Sequence, residues 1–302
     1  MIPLKIKPDI EAALAAGQPV VALESTVITH GLPYPDNLNT ARLMEAAVRE
    51  GGALPATIAL IQGVIHIGLT DEQLCYLAER PAGTVRKCSR RDFAITVANK
   101  EDGATTVAGT MIAAAMAGIP IFATGGIGGV HRGHPFDVSA DLAELGQTPV
   151  AVVSSGPKQI LDLDATREIL ETNGVTVVGY GSDKMAAFYC RESEHPADVR
   201  LDTPAEVARL IRTHQQLGLQ SGLLISVPVP AEDGLDYAEI DQIIDVAAAE
   251  ADAAGIHGAA STPWLLRRMV ELSGGRTLKA NTSLLANNGR TAAQIAVALS
   301  EI

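Results

Sequence analysis

An α/β fold with a largely parallel sheet, covered by helices on both sides, is what this sequence predicts, and three observations lead there. Short apolar runs alternate with longer helix-period segments along most of the chain, the pattern of successive βαβ units. The runs are continuous, as in VVAL at 20–23 and VAVV at 150–153, which suits strands buried on both faces. Apolar residues make up 47% of the 302 positions but aromatic ones only 3%, so small aliphatic side chains must fill the space between layers.

In chain order the predicted strands are Val20–Leu23, Thr57–Ile61, Val64–Ile67, Ile95–Ala98, Ile119–Ala123, Val150–Val153, Val175–Val178 and Leu223–Val227. Between them fall predicted helices at Leu38–Glu50, Asp71–Glu79, Val107–Met116, Lys158–Thr172 and Pro204–Leu217. The last third is more helical, with Tyr237–Ala254, Thr262–Leu272 and Thr291–Ile302. No charged or Pro/Ser-rich linker and no fixed-period repeat divides the chain, so residues 1–302 are read as one domain. A chain of this length buries a large core without disulfides or metals. The strand count also fits a (β/α)₈ barrel, which is the competing architecture.

Charge narrows the function. With 35 acidic against 23 basic residues the net charge is −12, which weighs against nucleic-acid and anionic-membrane partners. A small anionic substrate stays open, because a few Lys, Arg or backbone N–H groups reverse a local field. Cys75, Cys88 and Cys190 form no C-x-x-C pair, so reduced thiols in a cytosolic protein are expected. The N-terminal stretch carries Pro and several charges where a signal peptide needs an apolar run. No apolar run approaches the roughly 20 residues that span a bilayer. A soluble, cytoplasmic protein is expected.

The densest chemical signal is Gly118–Asp141, GIPIFATGGIGGVHRGHPFDVSAD. A strand runs into four glycines within five residues, then His131, Arg132 and His134. Glycine-rich backbone after a strand aims several N–H groups at one point, as phosphate binding requires. The spacing matches neither a Rossmann fingerprint nor a Walker A loop. Glycines alone would signal a flexible turn; the two His and the Arg favour an anion site. Asp137 and Asp141, with Ser139 between, offer oxygen ligands for a hard ion such as Mg²⁺ or Mn²⁺. An N-capping cluster explains them equally well.

Lys158 follows an apolar strand in PVAVVSSGPKQILDL, where α/β proteins place ligand sites. A lysine pressed into such a position loses hydration and gains an amine for nucleophilic attack; a solvated lysine in a first helical turn is the alternative. Glu24 ends the first strand in ALESTVITHGLPYPDN, suiting a proton donor or a turn cap. Lys87 with Arg90 and Arg91 is the densest basic cluster, a candidate phosphate contact or a solvated face. In GATTVAGTM small residues lead into a helix start that can add N–H donors. Asn281, Asn287 and Asn288 in KANTSLLANN read as site residues or as turn and cap residues.

Together, ALESTVITHGLPYP, RKCSRRD, GATTVAGTM, FATGGIGGVHRG, FDVSADL, SSGPKQILDL and GIHGAASTPWLL resemble, in the same order, the pseudouridine-5′-phosphate glycosidases, the indigoidine synthase A-like proteins. The resemblance runs from about residue 20 to the C-terminal region. It implies a layered α/β/α fold with a mainly parallel central sheet, a homotrimer, and one Mn²⁺ per subunit. It implies cleavage of the C–C bond of pseudouridine 5′-phosphate to uracil and ribose 5-phosphate, reversibly, through a lysine imine with the ring-opened sugar. On that footing Lys158 is the nucleophile, Glu24 the acid/base and Asp137 the metal ligand. Substrate contacts fall on Lys87, Val107, Thr124, His131, Ser139, Asp141 and Asn281. One departure is Pro157, which removes an N–H donor and fixes φ directly before the lysine. Competing functions are a Schiff-base aldolase-type lyase on a barrel, a sugar kinase (disfavoured, since no ATP phosphate loop is present), a non-catalytic sugar-phosphate sensor, and a related C–C bond chemistry in pigment biosynthesis.

Overall fold

The computed structural model describes residues 3–256 and 261–302; residues 257–260, inside the GIHGAASTPWLL string, lie outside the described residues. Fourteen strands are present among the described residues: β1 (Leu4–Ile6), β2 (Val20–Leu23), β3 (Leu54–Ile61), β4 (Val64–Ile67), β5 (Arg86–Cys88), β6 (Gly103–Thr105), β7 (Ile121–Ala123), β8 (Val130–His131), β9 (His134–Val138), β10 (Ala151–Ser154), β11 (Leu161–Asp162), β12 (Thr176–Tyr180), β13 (Val199–Leu201) and β14 (Leu223–Ser226). The helices are α1 (Pro8–Ala15), α2 (Thr26–Thr29), α3 (Asp36–Glu50), α4 (Asp71–Ala78), α5 (Phe93–Ala98), α6 (Val107–Met116), α7 (Ala140–Leu145), α8 (Leu163–Thr172), α9 (Pro204–Gln216), α10 (Tyr237–Ala253), α11 (Ser261–Leu272) and α12 (Arg276–Ser300).

The main sheet runs β1-β4-β3-β2-β7-β10-β14-β12-β13, with β6 branching from β3 and β5 beyond it. Every pairing is parallel except those of β3 with β4 and with β6. The path has two ends, so the sheet is open and the barrel alternative falls away. Side chains alternate across it with the strand period of two. Val21, Leu23, Ile121, Ala123 and Val153 face a core built with α3, α9, α10 and α12. Val20, Ala22, Phe122 and Val152 face the opposite core, with α1, α6, α7 and α8. Helices thus cover both faces, and each fully buried aliphatic side chain contributes about 1.5–3 kcal/mol relative to exposure.

Three expectations are corrected. Ile95–Ala98 is helical: Ser89 and Asp92 form a capping box at the 3₁₀ turn that leads into α5, and a four-residue apolar run carries no decisive period. The helix expected from Lys158 begins at Leu163, where Asp162 accepts from Ala165 N. The last helix begins at Arg276, not Thr291, so the Asn281–Asn288 stretch is helix interior and not turn. Strands such as β5, β6, β8 and β11 escape the sequence because they are two or three residues long. For the site, the decisive feature is that β2, β7 and β10 are parallel neighbours. The chain therefore leaves all three at one edge of the layers, the usual ligand position of open α/β sheets.

Candidate active site

Glu24 leaves β2 and is fixed by two hydroxyls: Thr26 and Thr124 each donate to its carboxylate. Thr124 leaves β7 and opens the glycine run. Ser155, leaving β10, donates its backbone N–H to Gly125 O at 2.9 Å. Beyond this bond the two loops stay zipped together. Ile127 N donates to Gly156 O and Lys158 N to Ile127 O, both at 3.1 Å, forming a parallel bridge between Ile127 and Pro157. In that bridge the donors belong to residues 127 and 158, so Pro157 stands where no N–H is used and the departure is harmless. Gly156 has φ 75°, and a Cβ there would lie 2.1 Å from Ala186 O; only glycine makes this turn. The turn delivers Lys158, whose Nζ donates to Gly126 O at 2.8 Å. Lys158 is a loop residue and not part of a first helical turn.

The facing side of the cavity is assembled from helix starts and short strands. Thr106 caps α6 by accepting from Gly109 N at 3.2 Å, and Val107 stands first in that helix. Ser139 caps α7 by accepting from Asp141 N at 3.3 Å. Asp141 then accepts from Gly128 N at 2.8 Å and from Ala108 N at 3.0 Å, tying the glycine run to the starts of both helices. Gly128 allows this approach, since a Cβ would sit 2.3 Å from Ser139 Oγ. In the β8–β9 hairpin, His131 Nδ1 lies 3.0 Å from Asp137 Oδ2. Lys87 projects from β5 and Asn281 from α12.

The ten residues on which the resemblance places the site all line one cavity of about 450 Å³: Lys158, Glu24, Lys87, Val107, Thr124, His131, Asp137, Ser139, Asp141 and Asn281. Arg90, Arg132, His134, Asn287 and Asn288 do not line it. Lys87 is solvent-exposed where it opens onto the cavity. Partial loss of water around it, then the charge of Lys158, hold its ammonium below the usual lysine range, against the opposing pull of Asp141 and Glu24. Burial, and then the Lys87 charge, hold His30 below the usual imidazole range, offset by a bond to the Val85 backbone.

Some of the basic residues serve the fold instead. Arg90 donates twice to the buried carboxylate of Glu144, at 2.6 and 2.8 Å, whereas its neighbour Arg91 reaches the cavity. Arg132 binds the carbonyls of Gln159 at 3.0 Å and Leu161 at 3.2 Å and pairs with Asp241 at 2.8 Å, bracing the lysine loop from outside. Thr26, His30, Phe188, Leu266 and Leu285 are also in the lining. The first two stand in the ALESTVITHG string, Leu266 ends GIHGAASTPWLL and Leu285 lies in KANTSLLANN; of the five, only Phe188 carries no sequence signal. As a metal holder, Asp137 offers a partly exposed carboxylate, and among the described residues no three His, Cys, Asp or Glu converge. Such a site suits a hard divalent ion that keeps mostly water and substrate oxygens.

No helix among the described residues is long and apolar enough to cross a membrane. Residues 9–298 match the family model described as indigoidine synthase A like protein. A pseudouridine-5′-phosphate glycosidase of Solibacter usitatus is 55% identical over 298 residues, 98% of this chain and 99% of the relative. One from Hahella chejuensis is 52% identical, covering 97% of each. Among solved structures, a prealnumycin C-glycosynthase in complex with ribulose 5-phosphate superposes with a TM-score of 0.90 at 42% identity, over 99% of this chain and 97% of its own. An indigoidine synthase A-like protein from Thermotoga maritima gives 0.89 at 34% identity, with the same coverage. With its glycine-zipped lysine loop and full-length similarity, the chain belongs to the pseudouridine-5′-phosphate glycosidase family, the indigoidine synthase A-like proteins.

Proposed function

We propose that this protein cleaves the C–C glycosidic bond of pseudouridine 5′-phosphate, giving uracil and ribose 5-phosphate, and that the reaction is reversible. The observation that carries the reading is the pairing of the Lys158 amine and the Glu24 carboxylate in one cavity, Lys158 on the loop zipped to the glycine run and Glu24 held to the start of that run by the Thr124 hydroxyl. The similarity to a C-glycosynthase solved with ribulose 5-phosphate supports the sugar-phosphate half of the substrate.

The chemistry explains why an amine is needed. The leaving atom is a uracil carbon with no lone pair to protonate, so the two-carboxylate route of ordinary glycosidases offers little. Lys158 Nζ attacks C1′ while Glu24 gives a proton to the departing ring oxygen, opening the ribose. Glu24, now a carboxylate, takes a proton from the alkylated Lys158 nitrogen. The lone pair so freed forms a C1′=N imine as the C1′–C5 bond breaks, and Glu24 delivers that proton to uracil C5. Water hydrolyses the imine, freeing ribose 5-phosphate and the lysine. Lys87, the Val107 amide and Ser139 hold the phosphate, and Thr124, His131, Asp141 and Asn281 contact the rest. Binding of the remote phosphate orients the reacting carbon. Asp137 would hold a manganese ion, one per subunit, which when bound would supply positive charge to stabilise negative charge on the substrate. The reading includes a homotrimer in the cytoplasm.

The test is uracil release from pseudouridine 5′-phosphate, with and without Mn²⁺, for wild type and Lys158→Ala. Metal-dependent release by wild type alone is expected. A folded, metal-supplied wild type that releases no uracil would sink the substrate assignment.

A further inference from the structure

We propose that Asn288 is a positioning residue for this reaction: its side-chain amide locks together the ends of β7 and β10, the first of which holds Glu24 through Thr124 and the second of which delivers Lys158. The inference rests on the reading of Lys158 as nucleophile. Asn288 lies inside α12, is 0% exposed, and is not among the residues lining the cavity. Asparagine is a poor helix former, and a buried amide is unfavourable unless its hydrogen bonds are made. Here they are made, and each goes to the floor of the site.

Asn288 Nδ2 donates to Thr124 O at 2.9 Å and, more weakly, to Gly125 O at 3.4 Å. Ser155 Oγ lies 3.1 Å from Nδ2 and 3.3 Å from Oδ1. Carbonyls only accept, so the NH₂ group must face the β7 side. From these contacts two short paths lead to the reacting groups. Thr124, held through its carbonyl, donates its hydroxyl to Glu24. Gly125 precedes Gly126, whose carbonyl holds Lys158 Nζ at 2.8 Å. Ser155 begins the turn that ends at Lys158, and its own N–H also bonds Gly125 O. One amide therefore fixes the acid/base and the nucleophile relative to each other without touching substrate. Leu285 and Asn281 stand one and two turns earlier on the same face of α12 and line the cavity, so the helix binds at one level and braces at the next.

The experiment compares wild type, Asn288→Ala and Asn288→Asp in steady-state uracil release, with thermal unfolding as the folding control. Aspartate has the shape of asparagine but, ionised, turns oxygen toward the Thr124 and Gly125 carbonyls. A displacement of about 1 Å at the reacting groups lowers kcat about 100-fold, and that loss is expected in both variants. KM should stay within about threefold, because the phosphate wall is untouched. Unchanged kcat in a folded variant would overturn the proposal. So would a full rescue by aspartate, or a loss that merely tracks the unfolded fraction. If neither variant folds, Ser155→Ala removes only the hydroxyl partner, and about a fivefold fall in kcat is expected there; no fall would overturn the proposal. Wild-type inactivity on pseudouridine 5′-phosphate would count against the substrate reading alone. The placement of Lys158 would then be scored by borohydride trapping with ribose 5-phosphate, where a comparably slower adduct is expected in the variants and an equal rate would overturn the proposal.

Discussion

The two walls of the cavity are built by different rules. The wall carrying Glu24, Thr124 and Lys158 grows from the ends of β2, β7 and β10, three adjacent parallel strands in the middle of the sheet. Its loops are pinned by backbone bonds and by Asn288, and its strands are buried on both faces. The opposite wall carries Lys87, Val107, His131, Asp137 and Ser139 on a branch of the sheet, two helix starts and a three-stranded appendage. Rigid strand ends suit groups that must meet a reacting carbon within a fraction of an ångström. Helix starts and a hairpin suit oxyanion binding, where N–H groups and positive charge are what is required.

This division predicts that damage to the first wall falls on kcat and damage to the second on KM. The largest effect is expected at Glu24. Glu24→Gln keeps the shape, and its amide still accepts from at least one of the two threonine hydroxyls, but it cannot move a proton. General acid–base groups contribute about 10²–10⁴-fold, and kcat should fall by that factor with KM little changed. Retained kcat would remove Glu24 from the chemistry and leave Lys158 without a proton partner.

The contrast also separates what the sequence discloses from what it hides. The positions of Glu24 and Lys158 are legible, because an uninterrupted apolar run such as VVAL or VAVV marks a buried strand and the first ionisable side chain after it stands at a ligand-binding edge. A turn cap or a solvated lysine fits that pattern as well, and their roles come from the resemblance. Lys87, Val107 and Asn281 come from elements far apart in the chain, and nothing local signals that they meet; only the resemblance joined them. The hairpin strand β9 was invisible because its five residues are mostly exposed and include Pro135. At Asn288 local preference speaks against helix and allows a turn, yet buried carbonyl partners across the fold decide the matter. Pro157 raised a doubt that geometry removes, since the sequence cannot show which of two successive N–H groups a bridge uses.

An intermediate effect is expected on the second wall. Lys87→Met keeps the aliphatic stem and removes the charge. A hydrogen bond to a charged group contributes about 1.5–3 kcal/mol, so KM should rise about 10- to 100-fold with kcat nearly preserved. The pH profile sharpens this. A lysine binds phosphate in its charged form, present below its pKa and lost as pH rises through it. Because lost hydration and Lys158 lower that pKa, KM should climb on the alkaline side earlier than an ordinary lysine would dictate. Lys87→Arg should flatten the climb, since guanidinium stays charged. A kcat loss in Lys87→Met as deep as that of Glu24→Gln would break the division between walls.

The smallest effect concerns two adjacent arginines that the sequence could not tell apart. Arg91 is 91% exposed and its nearest ion-pair partner, Asp92, is 3.9 Å away, so it acts on an anionic substrate only through a screened field. Arg91→Ala should lower kcat/KM about two- to fivefold at low ionic strength, with the difference vanishing in salt. Arg90 instead holds Glu144, which is 1% exposed, although its own side chain is half open to water. Arg90→Ala should therefore lower unfolding stability by about 1–3 kcal/mol, less than for a fully buried pair, and leave kcat/KM of the folded enzyme near wild type. The measurement is the pair of variants side by side, each scored by denaturant unfolding and by salt-dependent kinetics. If Arg90→Ala carries the salt-dependent kinetic loss and Arg91→Ala the instability, the orientation of this turn is reversed and the boundary of the second wall must be redrawn.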